Sequence, residues 1–149
     1  MIYLDNAATT FPKPAEVYNS VDDCLRNYCA NPGRGSHNLS IQCEVKIFDC
    51  RERLSKLLNI ENPLNIVFTS NTTEALNLAI KGILKPGDHA ITTMIEHNSV
   101  LRPLYTLRKN NVETTIIPVN SLGYLDINDI KISISHIDIY KKYLENKIL

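Results

Sequence analysis

The stretch VFTSNTTEALNLAI, residues 67–80, changes character halfway. It opens with β-branched and aromatic residues, passes through Ser70-Asn71-Thr72-Thr73-Glu74, and continues with helix formers. The change of period marks a strand running into a helix. A helix start leaves its first backbone N–H groups without partners, and the helix dipole adds partial positive charge there. Asn71 as N-cap with Glu74 three residues on fits a capping box with asparagine in place of serine. Thr72 and Thr73 then add two hydroxyls at the first two helical positions. In a parallel α/β sheet this joint lies at the carboxyl end of a strand, where such folds bind ligands. A phosphate would be held there by amides, dipole and hydroxyls together. Spacing alone does not choose between an anion site and a cap.

Working outward, residues 66–69 read as a strand and residues 72–81 as a helix closed by Gly82 near its C′ position. Lys85-Pro86-Gly87-Asp88 is a turn, and residues 90–95 read as a second strand. Residues 98–109 read as a helix in which Pro103 falls early, where a first-turn proline is tolerated. Residues 112–119 read as a third strand, ended by Asn120-Ser121-Leu122-Gly123. Strand, helix, strand, helix, strand means βαβ units. The fold class is α/β, a mainly parallel sheet with helices on both faces and right-handed crossovers.

Before this region come two helices. Val17, Val21, Leu25 and Tyr28 mark one face of the first, which ends near Asn31-Pro32-Gly33. Cys43, Ile47, Cys50, Leu54 and Leu57 form the stripe of a longer one, and residues 59–65 read as loop. In the tail, Ile130, Ile132 and Ile134 alternate with polar residues, as do Ile137 and Ile139 after a one-residue slip. YKKYLENKIL (140–149) reads as a short charged helix or fraying end.

The 149 residues suffice for one domain with a real core, and 44% hydrophobic with 21% charged residues is ordinary for a soluble globular protein. Sixteen basic residues balance sixteen acidic ones, which disfavours nucleic acid as a partner. The opening MIYLDNAATT lacks the basic and apolar regions of a signal peptide. No segment approaches the roughly 18 apolar residues of a membrane helix. The expectation is a cytoplasmic protein without membrane partners. Cys24, Cys29, Cys43 and Cys50 form no C-x-x-C pair and no zinc spacing, so no metal is expected. Cys43 and Cys50, seven apart, read as small core hydrophobes.

A second joint follows the second strand at Glu96-His97-Asn98-Ser99. In a parallel sheet both joints open on one edge, so His97 faces the same site or is a satisfied loop residue. His37, in the polar loop before the long helix, carries the same pair of readings. His89 and His136 have no supporting neighbours and read as structural or exposed.

YLDNAATTFPKP (3–14), NPGRGSHNLS (31–40), FTSNTTEALNLAIKG (68–82) and EHNSVLRPL (96–104) occur in that order. Together they closely resemble the N-terminal part of cysteine desulfurases, class V aminotransferases that use pyridoxal 5'-phosphate (PLP). The similarity covers roughly residues 2 to 128 and stops after about Asp129. It implies an incomplete fold-type-I PLP-transferase large domain. An N-terminal segment, 1–13, lines the active site, residues 14–129 form the partial large domain, and 130–149 are a divergent tail.

The resemblance also implies roles. Thr72 and Thr73 would bind the PLP phosphate, and His97 would stack on the pyridine ring. Asn6, Ala7, Ala8 and His37 would lie on the substrate side. Family members move the sulfur of L-cysteine onto an enzyme cysteine as a persulfide, leave alanine and pass the sulfur to an acceptor, as in iron–sulfur cluster assembly, usually as homodimers. No catalytic residue is assigned within this sequence. The family's Schiff-base lysine follows a histidine, and no lysine here does. The pyridine-nitrogen aspartate sits in a D-x-x-Q setting, but Leu39 stands there before Gln42. The arginine for the substrate carboxylate and the persulfide cysteine belong to the family's C-terminal half, and none of the four cysteines here takes the latter role.

The expectation is an N-terminal fragment of a cysteine desulfurase, inactive alone, as a premature stop, frameshift or split gene would give. The alternatives are a non-catalytic phosphate- or PLP-binding module, one half of a split enzyme, and a chain with no stable fold because its strand edges stay unpaired. Within the enzyme class, selenocysteine lyases and other class V enzymes share these motifs.

Overall fold

The computed structural model describes residues 2–33 and 35–134. The chain divides between Val67 and Phe68 into two compact units.

The first unit holds helices α1 (Ala15–Asn27) and α2 (Asn38–Leu58) and a 3-10 turn at Pro63–Asn65. Ahead of α1, the segment from Tyr3 to Phe11 is folded on itself. Asp5 O accepts the Ala8 and Thr9 N–H groups, each at 3.2 Å, and the Tyr3 hydroxyl donates to Thr9 O at 2.7 Å. α1 is amphipathic in sequence, yet Val17, Val21 and Leu25 are exposed. The stripe expected on α2 is covered at one end only. Cys43 is buried, Ile47 and Leu54 are half-buried, and Leu57 is exposed. Cys50, expected in the core with Cys43, is exposed. Seven residues turn a helix through about 700°, which leaves position 50 some 20° off Cys43, at the margin of a narrow covered strip.

The second unit is built on β1 (His89–Thr93) and β2 (Glu113–Ile117), a parallel pair in the register His89↔Glu113 to Thr93↔Ile117. Helix α3 (Thr72–Ile83) precedes β1, and α4 (Asn98–Arg108) joins the strands and packs on α3. Helices with a small parallel sheet are the α/β class the sequence implies. On α4, Val100, Pro103, Leu104 and Leu107 follow the i, i+3, i+4, i+7 spacing of one face. The last three are buried, with Val112 and Ile117 beside them in the core. The turn before β1 is tied to the strand pair. Lys85 N donates to Asp88 Oδ2 at 2.7 Å, Gly87 N to Asn111 O at 2.8 Å, and Glu113 N to Asp88 O at 2.9 Å. Gly87 takes φ +92° there, a conformation that favours glycine.

Four expectations change. Residues 66–69 have no strand partner among the described residues, although Ile66 is extended. A strand exists only where a neighbour takes its hydrogen bonds, which the local pattern cannot supply. Gly82 lies inside α3, whose C-cap is Leu84; beyond its chain neighbours and the helix's own backbone, no described atom lies within 4 Å of the position its Cβ would occupy. Pro103 is the sixth residue of α4, past the first turn, so it offers no N–H to the Ser99 carbonyl. Its side chain is fully buried, and that packing offsets the lost bond. Finally, residues 127–134 are helical, so Ile130, Ile132 and Ile134 do not form a strand. His136, Ile137, Ile139 and residues 140–149 lie outside the described residues. After β2, Asn120 Oδ1 accepts the Leu122 and Tyr124 N–H groups, at 3.0 and 2.9 Å, closing the turn expected at 120–123.

Candidate functional site

The start of α3 carries the densest set of polar groups. Asn71 is the N-cap, and its Oδ1 accepts the Glu74 N–H at 2.9 Å. Glu74 reaches back with Oε2 to the Ser70 N–H at 2.8 Å, one residue beyond the N-cap itself. The Thr69 hydroxyl donates to Asn71 O at 3.0 Å. The bonds from the Ser70 N–H and then the Ser70 side chain hold the Glu74 carboxyl below its ordinary value. The box therefore consumes the amides of Ser70 and Glu74. The amides of Thr72 and Thr73 fall in the first turn, where no intrahelical acceptor exists. Both side chains are exposed, and neither hydroxyl has a partner among the described residues. Two amides and two hydroxyls thus lie in the first turn at a positive helix end, the kind of helix end that can receive a phosphate.

The second joint is built differently. His97 is the N-cap of α4, and its Nδ1 accepts the Ser99 N–H at 3.1 Å, with the Ser99 hydroxyl at 2.8 Å. The bond assigns the neutral tautomer with the proton on Nε2. The ring is exposed, so capping fixes it without burying its faces. Glu96 is held just before it by the Thr93 hydroxyl at 3.0 Å. The satisfied-loop reading is therefore correct for Nδ1 and leaves the ring faces and Nε2 for other work.

His37 caps α2 in the same way. Its Nδ1 accepts the Ser40 N–H at 3.3 Å, and its ring is exposed. A cap role for either histidine was not legible in advance; the shared signal is His-Asn followed by serine within three residues. Asn6 spends its Oδ1 on the Phe11 N–H at 3.2 Å, and Asn6, Ala7 and Ala8 are exposed. His89, expected to be structural or exposed, is half-buried and holds Thr115 Oγ1 across the strand pair at 2.8 Å. Thr72, Thr73 and His97 thus share the second unit, whereas Asn6, Ala7, Ala8 and His37 belong to the first. A cavity of about 490 Å³ beyond β2 is lined by Pro118, Asn120, Tyr124 and Asp126 among others, and by none of these residues.

The sequence profile of class-V aminotransferases matches residues 2–140. The chain belongs to the class-V aminotransferase family. The family match extends past residue 128, where the likeness read from motifs stops. A cysteine desulfurase (IscS) of Dictyoglomus turgidum is 37% identical over 134 residues, 87% of this chain and 33% of its own length. A mitosomal cysteine desulfurase of Encephalitozoon cuniculi is 35% identical over 139 residues, 89% of this chain and 32% of that one. Among solved structures, the apo cysteine desulfurase of Thermococcus onnurineus superposes with TM-score 0.75 at 35% identity. It covers 86% of this chain, which covers 32% of it. A NifS-like protein superposes with TM-score 0.73 at 29% identity, over 86% of this chain and 35% of its own. The likeness is to the N-terminal part of such class-V proteins, and the chain spans about a third of the length of the relatives it matches. No helix among the described residues is long and apolar enough to cross a membrane.

Proposed function

We propose that this chain supplies the N-terminal part of a PLP-dependent cysteine desulfurase, with the start of α3 receiving the cofactor phosphate. The observation that carries the reading is the division of labour at that helix start. The cap is complete without Thr72 and Thr73, which leaves two amides and two hydroxyls for an anion. Donors to an ionised oxygen make the stronger class of hydrogen bond, and the helix dipole adds to them. His97, fixed through Nδ1, offers a ring face for stacking on the pyridine and an N–H at Nε2. Asn6, Ala7, Ala8 and His37 are assigned to the substrate side. When bound, PLP supplies the electron sink; the residues named here bind and orient.

In the complete protein the substrate is L-cysteine, the products are alanine and a sulfur passed as persulfide to an acceptor, and the assembly is a homodimer serving iron–sulfur cluster formation in the cytoplasm. The similarity to proteins named cysteine desulfurase supports this assignment. The phosphate end of the cofactor fits the residues present. For the aldehyde end, none of the four histidines in the sequence is followed by a lysine. The 149 residues alone therefore bind PLP without a covalent bond and do not turn over.

A second reading, a non-catalytic phosphate- or PLP-binding module or one half of a split enzyme, rests on that same missing lysine. The test is to incubate the purified chain with PLP and L-cysteine, then reduce with borohydride. Retained PLP, no sulfide and no covalent adduct are expected. Sulfide release, or a lysine carrying the cofactor mass, would overturn the account of the isolated chain.

A further inference from the structure

We propose that Ser99 is a positioning residue, fixing the tautomer and the plane of the His97 ring before a ligand arrives. Two donors of Ser99 meet one atom of that ring. Its N–H lies 3.1 Å from His97 Nδ1 and its hydroxyl 2.8 Å from the same nitrogen. A protonated Nδ1 would set its hydrogen against the Ser99 N–H, so Nδ1 is the acceptor and the hydroxyl donates to it. The amide alone completes a cap of this kind. At His37 the equivalent bond from the Ser40 N–H, at 3.3 Å, caps α2 while the Ser40 hydroxyl donates to Asn31 O at 2.8 Å. The Ser99 hydroxyl is therefore surplus to capping, and it makes the shorter of the two bonds.

What the hydroxyl adds follows from where each group sits. Ser99 is 7% exposed in the first turn of α4, whereas the His97 ring is exposed. An exposed ring has little packing to order it, and among the described residues every hydrogen bond of this ring runs to Ser99. Turning about Cβ–Cγ would carry the Nδ1 lone pair out of line with both donors. It would also leave a buried hydroxyl without a partner, which costs free energy. The ring is thereby held in one plane, with the proton on Nε2 and its faces open. A group oriented before binding loses less freedom when the ligand arrives. The stacking that this serves rests on the assignment of PLP as the ligand; the hold of Ser99 on the ring does not.

The test follows the ring nitrogens by nuclear magnetic resonance in the full chain, isotopically labelled at histidine. Without ligand and above neutral pH, the parent His97 ring should show one tautomer, Nδ1 unprotonated and Nε2 protonated. Ser99→Ala keeps the N–H and the cap but should move the His97 Nδ1 resonance. PLP binding should weaken about three- to tenfold in Ser99→Ala, the range of one ordinary hydrogen bond. In a His97→Asn chain, Ser99→Ala should weaken PLP binding no further. The proposal is overturned by a parent ring protonated at Nδ1, by an Nδ1 resonance that Ser99→Ala leaves in place, or by a loss of PLP affinity that persists in the His97→Asn chain. Ring resonances that respond as expected in a chain that binds no PLP would support the hold of Ser99 on the ring and overturn PLP as the ligand.

Discussion

Asn71 and Glu74 hold each other at the start of α3, since Asn71 Oδ1 takes the Glu74 N–H at 2.9 Å while the Glu74 carboxylate takes the Ser70 N–H at 2.8 Å. The cap and the proposed anion site therefore draw on different donors. Removing the cap acceptor with Asn71→Ala is expected to cost about 1 kcal/mol of stability, and Asn71→Asp to cost little. Thermal or urea denaturation of the chain measures it. Equal losses in both variants would show that Asn71 acts other than as a cap.

The same carboxylate sets a pH dependence. Its folded-state value lies below the ordinary 4.5, so its contribution is present above that pH and is lost as pH falls through the lower folded value. Melting temperature followed downward from pH 6 should fall more steeply in the parent than in Glu74→Gln, which keeps an acceptor for Ser70 but does not ionise. Identical profiles would contradict the assignment.

His97 caps α4 and is proposed to stack on the cofactor ring, and two variants part the cap from the proposed stacking. His97→Ala removes the acceptor for Ser99 and is expected to cost about 1 kcal/mol. His97→Asn restores the cap and most of the stability but provides no aromatic face. Both variants should weaken PLP binding. Undiminished binding in His97→Asn would remove the stacking role and leave only the cap.

Neighbouring positions on β2 should differ sharply. Ile117 is 2% exposed and Ile116 is 50% exposed. Ile117→Ala is expected to cost about 2–4 kcal/mol, Ile116→Ala under about 1 kcal/mol, by denaturant titration. Similar losses would place the core of the second unit elsewhere.

What was legible in the sequence is what local pattern determines. The 3.6-residue spacing located α1 and α2, the change of character at residues 67–80 located α3 and its Asn-Thr-Thr-Glu cap, and the branched runs located β1 and β2. What escaped it depends on partners far along the chain. Residues 66–69 have strand composition but no neighbouring strand among those described, and composition cannot report a neighbour. Cys50 keeps the period of Cys43 yet faces solvent, because a stripe becomes core only where something covers it. Histidine as a helix cap was missed at both His37 and His97, since the ring is read first for chemistry and only the backbone geometry shows Nδ1 turned to the amide. Roles toward a cofactor came from the order of four motifs, which carries more information than any single one.

The central claim is that Thr72 and Thr73 hold the cofactor phosphate, and it is tested most directly by titrating the isotopically labelled chain with PLP. The amides of Thr72 and Thr73 should shift on titration, inorganic phosphate should shift the same amides, and pyridoxal, which lacks the phosphate, should bind more weakly. The double variant Thr72→Ala, Thr73→Ala should weaken PLP binding at least about tenfold at unchanged melting temperature, since each lost hydrogen bond to an ionised oxygen is worth about 1.5–3 kcal/mol. Unmoved Thr72 and Thr73 amides, with PLP bound equally well by the double variant, would contradict the account.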